Sequence, residues 1–291
     1  MEDSRTVIGE SELRRIESRL SHVSWTEDVW VARGRYAAFG VSWAIQADDI
    51  SAYHLLLDRL PPGSAPSSSK TMIRSYAFRT LPAATPGDDI SYLLLADGRP
   101  LVRSSEPSDI ADAFEEDVKW LVAEHSQRRV FVRAGAVGWR DRAIIIPGGP
   151  RSGKSALVRA LVACGATYFS DEYAVLEGNN VYPYRSRLPE WIGEGSSLSY
   201  LLDEIRGVQP IAALPVGIVL FAPYQPGAVF KPQLISRGKS LLGLFKHSVA
   251  GQRRPEQVLR ALDTVTRRCN ALEGVRGDAH TVATYLLDRL V

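Results

Sequence analysis

The residues with the clearest chemical meaning form a glycine-rich segment in the middle of the chain. Residues 148–155, GGPRSGKS, match the pattern G-x-x-x-x-G-K-[ST], and we call this segment the glycine loop. Small residues let successive backbone N–H groups converge on an anion, because few side chains block the approach. Lys154 can reach phosphate oxygens, and the hydroxyl of Ser155 can ligate Mg²⁺. The segment therefore predicts a site for the phosphates of a nucleoside triphosphate.

The flanking residues favour the same interpretation. The apolar run at 143–146 predicts a buried strand before the loop, and apolar residues recur on one helical face across 157–162. Gly165 is placed to end that helix. Strand, loop and helix in this order is the context in which the motif binds phosphate, and a chance match on an ordinary turn is the weaker alternative. The predicted nucleotide-binding residues are Gly148, Gly149, Pro150, Arg151, Ser152, Gly153, Lys154, Ser155 and Ala156.

Two acidic residues follow the next predicted strand. That strand covers residues 166–169 and leads into Ser170, Asp171 and Glu172. Carboxylates at the end of a strand beside a phosphate site are placed to hold Mg²⁺ or to accept a hydroxyl proton. We therefore predict Asp171 and Lys154 as catalytic residues, and Ser155, Asp171 and Glu172 as Mg²⁺ ligands. The alternative is a turn acid next to a solvated glutamate.

Three stretches together resemble a known family. Residues 130–137, the glycine loop and residues 168–175 are similar to the kinase core of HPr kinase/phosphorylase. They are more similar still to HPr-kinase-related proteins of bacterial biosynthetic clusters, some of which phosphorylate serine on lasso peptides. The resemblance implies an α/β fold, with a P-loop core of the HPr-kinase and phosphoenolpyruvate-carboxykinase type and a mixed sheet. It also implies ATP and Mg²⁺ as cofactors.

The activity implied is transfer of the γ-phosphate to a hydroxyl group, that of a serine on a peptide, a protein or a small molecule. Asp171 and Glu172 stand at the family's paired acids, whereas Arg133 stands where the family usually carries a histidine. The downstream phosphorylase segment of HPr kinases is not found, so the resemblance supports neither reverse phosphorolysis nor HPr as the acceptor.

These departures keep two alternatives open. One is a nucleotide-dependent binding or regulatory module with little or no transfer activity. A weaker one is a carboxykinase-like enzyme, which would need further His or Lys metal ligands near the glycine loop. The histidines of this chain are scattered singly, and we assign them no role.

Other arginines are candidates for the same site. Arg185 and Arg187 fall in an aperiodic stretch, residues 185–197, and they would stabilise the transferred phosphoryl group if that stretch covers the site. Solvated loop charges are the commoner interpretation. Arg276 would reach the nucleotide only if the strand predicted at 272–275 joins the main sheet.

The rest of the chain predicts two domains. Residues 1–126 are expected to form a small α+β domain, with hairpin turns at 33–35 and 97–98 and a long amphipathic helix across 111–122. Residues 127–291 are expected to form the nucleotide-binding domain, and a hairpin turning at 140–141 leads into the glycine loop.

Composition bounds the protein class. The chain has 291 residues, of which 45% are hydrophobic and 23% charged, as in a globular protein. The net charge of +2 offers no argument for a nucleic-acid or membrane partner. The two cysteines form no metal or redox motif, and no apolar run approaches a transmembrane length. We expect a cytoplasmic bacterial protein, and a homo-oligomer stays an open alternative.

Overall fold

The computed structural model describes residues 30–82, 90–184 and 212–289. The chain divides into two compact units, Met1–Val122 and Ala123–Val291. The described residues of each unit combine helices with a mixed sheet, so the fold is mixed α/β. The predicted domain boundary, between residues 126 and 127, stays a prediction. No helix in the described part of the chain is long and apolar enough to cross a membrane.

The first unit is built on a six-stranded sheet in the order β3-β1-β2-β4-β5-β6. Strands β2 and β4 run parallel, whereas the other neighbouring pairs are antiparallel. The hairpin predicted at 97–98 is confirmed, because both residues adopt positive φ between β5 and β6. The elements are β1 (Ala32–Ala38), β2 (Val41–Ala47), α1 (Ile50–Leu57), β3 (Ala65–Pro66), β4 (Arg74–Leu81), β5 (Ser91–Ala96), β6 (Arg99–Ser104) and α2 (Pro107–His125).

The turn predicted at residues 33–35 was wrong. These residues lie inside β1, and the chain reverses instead at Phe39 and Gly40, whose φ angles are 51° and 79°. Positive φ at both central residues matches the twist of a two-residue hairpin. Gly34 serves another purpose, since a Cβ at that position would collide with the hydroxyl of Tyr53, which is 2.8 Å from the hydroxyl of Tyr36.

The second unit is an eight-stranded sheet with helices on both faces. Its path is β11-β10-β7-β8-β12-β14-β13, and β9 pairs with β7 on the side opposite β8. The elements are β7 (Val130–Trp139), β8 (Arg142–Pro147), α3 (Lys154–Ala163), β9 (Thr167–Ser170), β10 (Tyr173–Glu177), β11 (Asn180–Tyr182), β12 (Leu214–Phe221), β13 (Gln233–Leu234), α4 (Arg237–Lys246), α5 (Pro255–Thr266), β14 (Asn270–Glu273) and α6 (Ala279–Arg289).

Strand β8 is buried on both faces, which explains its unbroken apolar sequence. Ile144 and Ile146 pack in one core layer with side chains of α3 and α6. Ile145 belongs to the opposite layer, which includes Leu244 of α4 and Leu262 of α5. Full burial of each such side chain contributes about 1.5–3 kcal/mol. Two packed faces therefore hold the strand that carries the glycine loop.

Strand direction brings the candidate residues to one edge of this sheet. Strands β8, β12 and β14 are mutually parallel, so their carboxyl ends meet at that edge. Strand β7 is antiparallel to β8 and pairs Ala134 with Pro147, so Arg133 lies at the same edge. Strand β9 is antiparallel to β7, so its last residue, Ser170, also lies there. The carboxyl edge of parallel strands is where α/β proteins commonly bind ligands.

Candidate functional site

The glycine loop connects β8 to α3 and offers unpaired backbone donors at the helix start. Gly148 donates its N–H to the carbonyl of Arg133 at 3.2 Å, and a Cβ on Gly148 would lie 2.5 Å from Ser152 Oγ. Gly153 has φ 82° and precedes α3 without a side-chain cap. The first N–H groups of a helix have no partner within the helix, so an uncapped start can bind an anion.

Lys154 lies over this loop. Its Nζ donates a hydrogen bond to the carbonyl of Gly149 at 2.8 Å. Burial lowers the pKa of the Lys154 amine, the nearby Asp171 carboxylate acts in the opposite direction, and Arg133 lowers this pKa further. Three residues singled out in the sequence thus lie close enough to influence one charge. Ser155 is exposed in the first turn of α3, while Asp171 and Glu172 are partly exposed.

A buried tyrosine orients Asp171 through a hydrogen bond. Tyr168, which is 3% exposed, donates its hydroxyl to Asp171 Oδ1 at 2.8 Å. Ser170 Oγ accepts the backbone N–H groups of Glu172 at 3.1 Å and Tyr173 at 3.0 Å, which fixes the turn from β9 to β10. In the sequence, Tyr168 is recognisable only as a strand residue. The available signal was its spacing, three residues before an acid at a strand end.

Replacing Tyr168 with phenylalanine is expected to lower kcat for the proposed transfer about tenfold, with ATP affinity changed by less than about twofold. A hydrogen bond to a charged group contributes about 1.5–3 kcal/mol, and here it orients the carboxylate without touching the nucleotide. Steady-state kinetics with the matched change Tyr92→Phe in the first unit as control would check this. An unchanged kcat would show that the hydroxyl does not position Asp171.

Arg276 reaches the loop from the far strand. The strand predicted at 272–275 does join the main sheet, as β14, and the chain beyond it stays paired with the segment after β12. The Arg276 side chain is only 2% exposed, and it donates to the carbonyls of Gly153 at 2.6 Å and Gly277 at 3.3 Å. Burial lowers the pKa of this guanidinium, whereas Tyr224 and Asp278 act in the opposite direction. Arg276 therefore braces the glycine loop through its hydrogen bond to the carbonyl of Gly153.

We expect Arg276→Met to lower the free energy of unfolding by about 2–3 kcal/mol. The change leaves two carbonyls without their charged donor, one of them in the loop itself. Chemical denaturation would measure the loss. The exposed Arg268→Met is the matched control, for which we expect a change within about 0.5 kcal/mol. Equal effects in the two variants would contradict the bracing role.

His247 is a second residue that the sequence analysis missed. It follows α4, and its carbonyl accepts the N–H of Arg133 at 2.8 Å, beside a bridge between Val132 and Ser248. Burial lowers the pKa of the His247 imidazole, and the charges of Lys246 and Lys154 lower it further. A single histidine forms no metal-ligand spacing with other residues, so the sequence does not indicate that it lies near the site. Only the pairing of the segment after α4 with β7 shows this.

The His247→Gln variant is expected to lose less stability in acid than the wild type. The folded chain holds the imidazole pKa below 6.5, so below that pH the unfolded chain binds a proton that the folded chain does not. The free energy of unfolding should therefore fall as pH decreases from about 7 to about 5, and less steeply in the variant. Urea titrations across this range test it, and identical slopes would contradict it.

The predicted metal ligands form an incomplete set by themselves. Within residues 30–82, 90–184 and 212–289, no group of three or more His, Cys, Asp or Glu side chains is placed to hold a metal ion. Mg²⁺ commonly binds through one or two carboxylates and completes its shell with substrate phosphates and water. The pair Asp171 and Glu172 is compatible with that pattern. Arg185 and Arg187 lie outside the described residues.

Comparison with known proteins adds little to this geometry. No protein-family model matches the chain, and no curated protein matches it. Among solved structures, the HPr(Ser) kinase/phosphatase from Coxiella burnetii is similar with a TM-score of 0.27 and 12% identity, over 55% of this chain and 93% of that one. A TM-score this low carries no argument about fold or activity.

Proposed function

We propose that this protein is an ATP- and Mg²⁺-dependent kinase that transfers the γ-phosphate to a hydroxyl acceptor. The observation that carries the proposal is that Lys154, at an uncapped helix start, and Asp171, after β9, lie at the sheet edge where the parallel strands end, close enough for the carboxylate to influence the charge of the amine. An anion-binding helix start and a positioned carboxylate are the two parts that phosphoryl transfer needs.

The residues present fit a triphosphate. A Cβ on Gly149 would meet no atom within 4 Å, so the space above the loop is open at that point. Ser152 Oγ is buried and has no hydrogen-bond partner among the described residues. With the uncapped start of α3 and the Lys154 amine, these groups form a donor set suited to phosphate oxygens. Backbone N–H groups of residues 149–156 would hold the phosphate chain, apart from Pro150, which has none, and Ser152, whose N–H donates to the carbonyl of Gly149 at 3.4 Å.

The metal ion would be held by Ser155 together with Asp171 or Glu172. Bound there, Mg²⁺ would offset the negative charge that develops on the phosphate oxygens during transfer. Ser155 is exposed on the loop side and the two acids follow β9, so the ligands come from two segments. We expect Mg²⁺ affinity to rise strongly when nucleotide is present, because two or three protein oxygens alone bind Mg²⁺ weakly.

Each remaining residue has a distinct task in this proposal. Asp171, oriented by Tyr168, positions the acceptor hydroxyl and accepts its proton. Lys154 binds the oxygens of the transferred group, and Arg133 adds positive charge nearby. The acceptor proposed is a serine hydroxyl on a peptide, a protein or a small molecule, following the sequence resemblance.

The test is transfer of label from γ-labelled ATP with Mg²⁺. Purified protein is mixed with a lysate of the source cells, and the products are separated into macromolecular and small-molecule fractions. Label that appears in either fraction, and is absent with Lys154→Ala, would support a kinase and indicate the size class of its acceptor. Transfer that persists undiminished in the variant would exclude the glycine loop as the site.

The same experiment separates the kinase from the nucleotide-dependent binding module. Binding of ATP is measured in parallel by calorimetry. Tight ATP binding without transfer to any fraction would overturn the kinase proposal and favour the binding module. Absence of both binding and transfer would overturn both.

A further inference from the structure

The two sides of the glycine loop carry different chemistry. In the sheet order β7-β8-β12-β14, strand β8 leads into the loop. On one side lie Arg133 of β7 and Asp171, which follows β9. On the other side, the segments after β12 and β14 carry Tyr224 and Arg276. If the reacting phosphate faces Asp171, as the proposed function requires, the nucleoside must leave the loop on the opposite side.

Tyr224 lies on that opposite side, next to the last residue before α3. Its Cβ is 3.2 Å from the position that a Cβ on Gly153 would take. Its backbone is fixed by a bridge to Arg276, in which Gln225 N donates to Arg276 O at 2.8 Å and Arg276 N donates to Pro223 O at 3.1 Å. The Tyr224 side chain is nevertheless 55% exposed. An aromatic ring thus projects from a rigid segment into the solvent beside the loop.

Arg276 also limits the orientation of this ring. Its guanidinium carbon lies 5.6 Å from the centroid of the Tyr224 ring, within the range of a cation–π contact. The same guanidinium is bonded to the carbonyl of Gly153, so ring and loop share one anchor. The ring therefore has a fixed place relative to the phosphate-binding groups.

We propose that Tyr224 is the stacking platform for the base of the bound nucleotide. This inference rests on the proposed nucleotide binding and extends it to the nucleoside end. Aromatic side chains bind bases through their π faces, and this kind of contact is tolerant of base identity. The ligand class is therefore a nucleoside triphosphate whose ring stacks on a tyrosine, with larger purine rings favoured over pyrimidines because they bury more apolar area.

The test compares two ligands that share the phosphates and differ in the base. Calorimetry with Mg²⁺ measures the Kd of ATP and of inorganic tripolyphosphate for the wild type, Tyr224→Ala and Tyr224→Phe. We expect Tyr224→Ala to weaken ATP binding about tenfold and to leave tripolyphosphate within about twofold. Tyr224→Phe should retain both affinities, because it keeps the ring. Lys154→Ala, which removes a phosphate contact, should weaken both ligands.

The possible results of this experiment distinguish failure of the stacking platform from failure of the proposed function. Unchanged ATP affinity in Tyr224→Ala, with ATP bound well by the wild type, would overturn the platform and leave the proposed function in place. Equal weakening of ATP and tripolyphosphate would also overturn it, since Tyr224 would then act on the loop. A wild type that binds neither ligand would overturn the proposed function itself. Retained tripolyphosphate binding in Tyr224→Ala serves as evidence that the variant is folded.

Discussion

Replacing Asp171 with asparagine is expected to lower kcat for phosphoryl transfer by about 10³-fold, while the Kd for ATP with Mg²⁺ changes by less than about tenfold. A positioned base contributes about 10²–10⁴-fold to such reactions, and asparagine keeps the shape of aspartate but cannot take the proton. The side-chain oxygen of asparagine can still accept the hydrogen bond of Tyr168, so the local structure should survive. Single-turnover rates and calorimetry on one preparation would measure both quantities.

The neighbouring acid provides the matched control. Glu172→Gln removes the same charge one residue further along, at a side chain that is also partly exposed. We expect it to raise the Mg²⁺ concentration needed for half-maximal rate and to lower kcat at saturating Mg²⁺ by less than about tenfold. If Glu172→Gln instead abolished the rate and Asp171→Asn only shifted the Mg²⁺ requirement, the two roles would have to be exchanged.

Replacing Lys154 with alanine is expected to lower kcat/KM by at least about 10³-fold. The amine is the side-chain cation that lies over the loop, and removing one charge-stabilising donor typically costs about 10²–10³ in kcat, with weaker ATP binding adding to the loss. The fold should persist, because Lys154 is only partly buried and its amine donates to a loop carbonyl.

Lys231→Ala, an exposed lysine of the same unit, is the control for loss of a positive charge. It should keep the wild-type rate. Thermal unfolding curves for both variants would separate lost chemistry from lost structure, with midpoints expected within about 4 °C of the wild type. A Lys154→Ala protein that keeps its rate would contradict the proposed site.

The local parts of the fold could be predicted from the sequence. The strand, loop and helix at residues 143–163 depend on residues that are neighbours in the chain, and the structure has them as β8, the glycine loop and α3. The hairpin turning at 140–141 is confirmed for the same reason. Hydrophobic periodicity and turn-forming residues act over a few neighbouring positions, so a single sequence is enough to reveal them.

The contacts of the supporting residues could not be predicted, because they arise through pairing between distant strands; the sequence made Arg276 a candidate only on the condition that the last strand joins the main sheet. Arg276 reaches Gly153 only since β14 joins β12, and His247 meets Arg133 only since the end of α4 pairs with β7. Neither contact leaves a local pattern. The incorrect prediction of a turn at residues 33–35 has a related cause. Gly34 is required by the approach of Tyr53 from α1, which is a tertiary constraint that resembles a turn signal in the sequence.

The bond between Arg276 and Gly153 has a consequence for how the protein is made. The two residues are 123 positions apart in the chain, so the guanidinium that braces the loop leaves the ribosome well after the loop itself. The glycine loop and α3 can form early, but their anchor from β14 cannot. Contacts of such long sequence separation close late in folding. We therefore expect nascent chains that end before β14 to lack nucleotide affinity, so that the site matures only after Arg276 has been added.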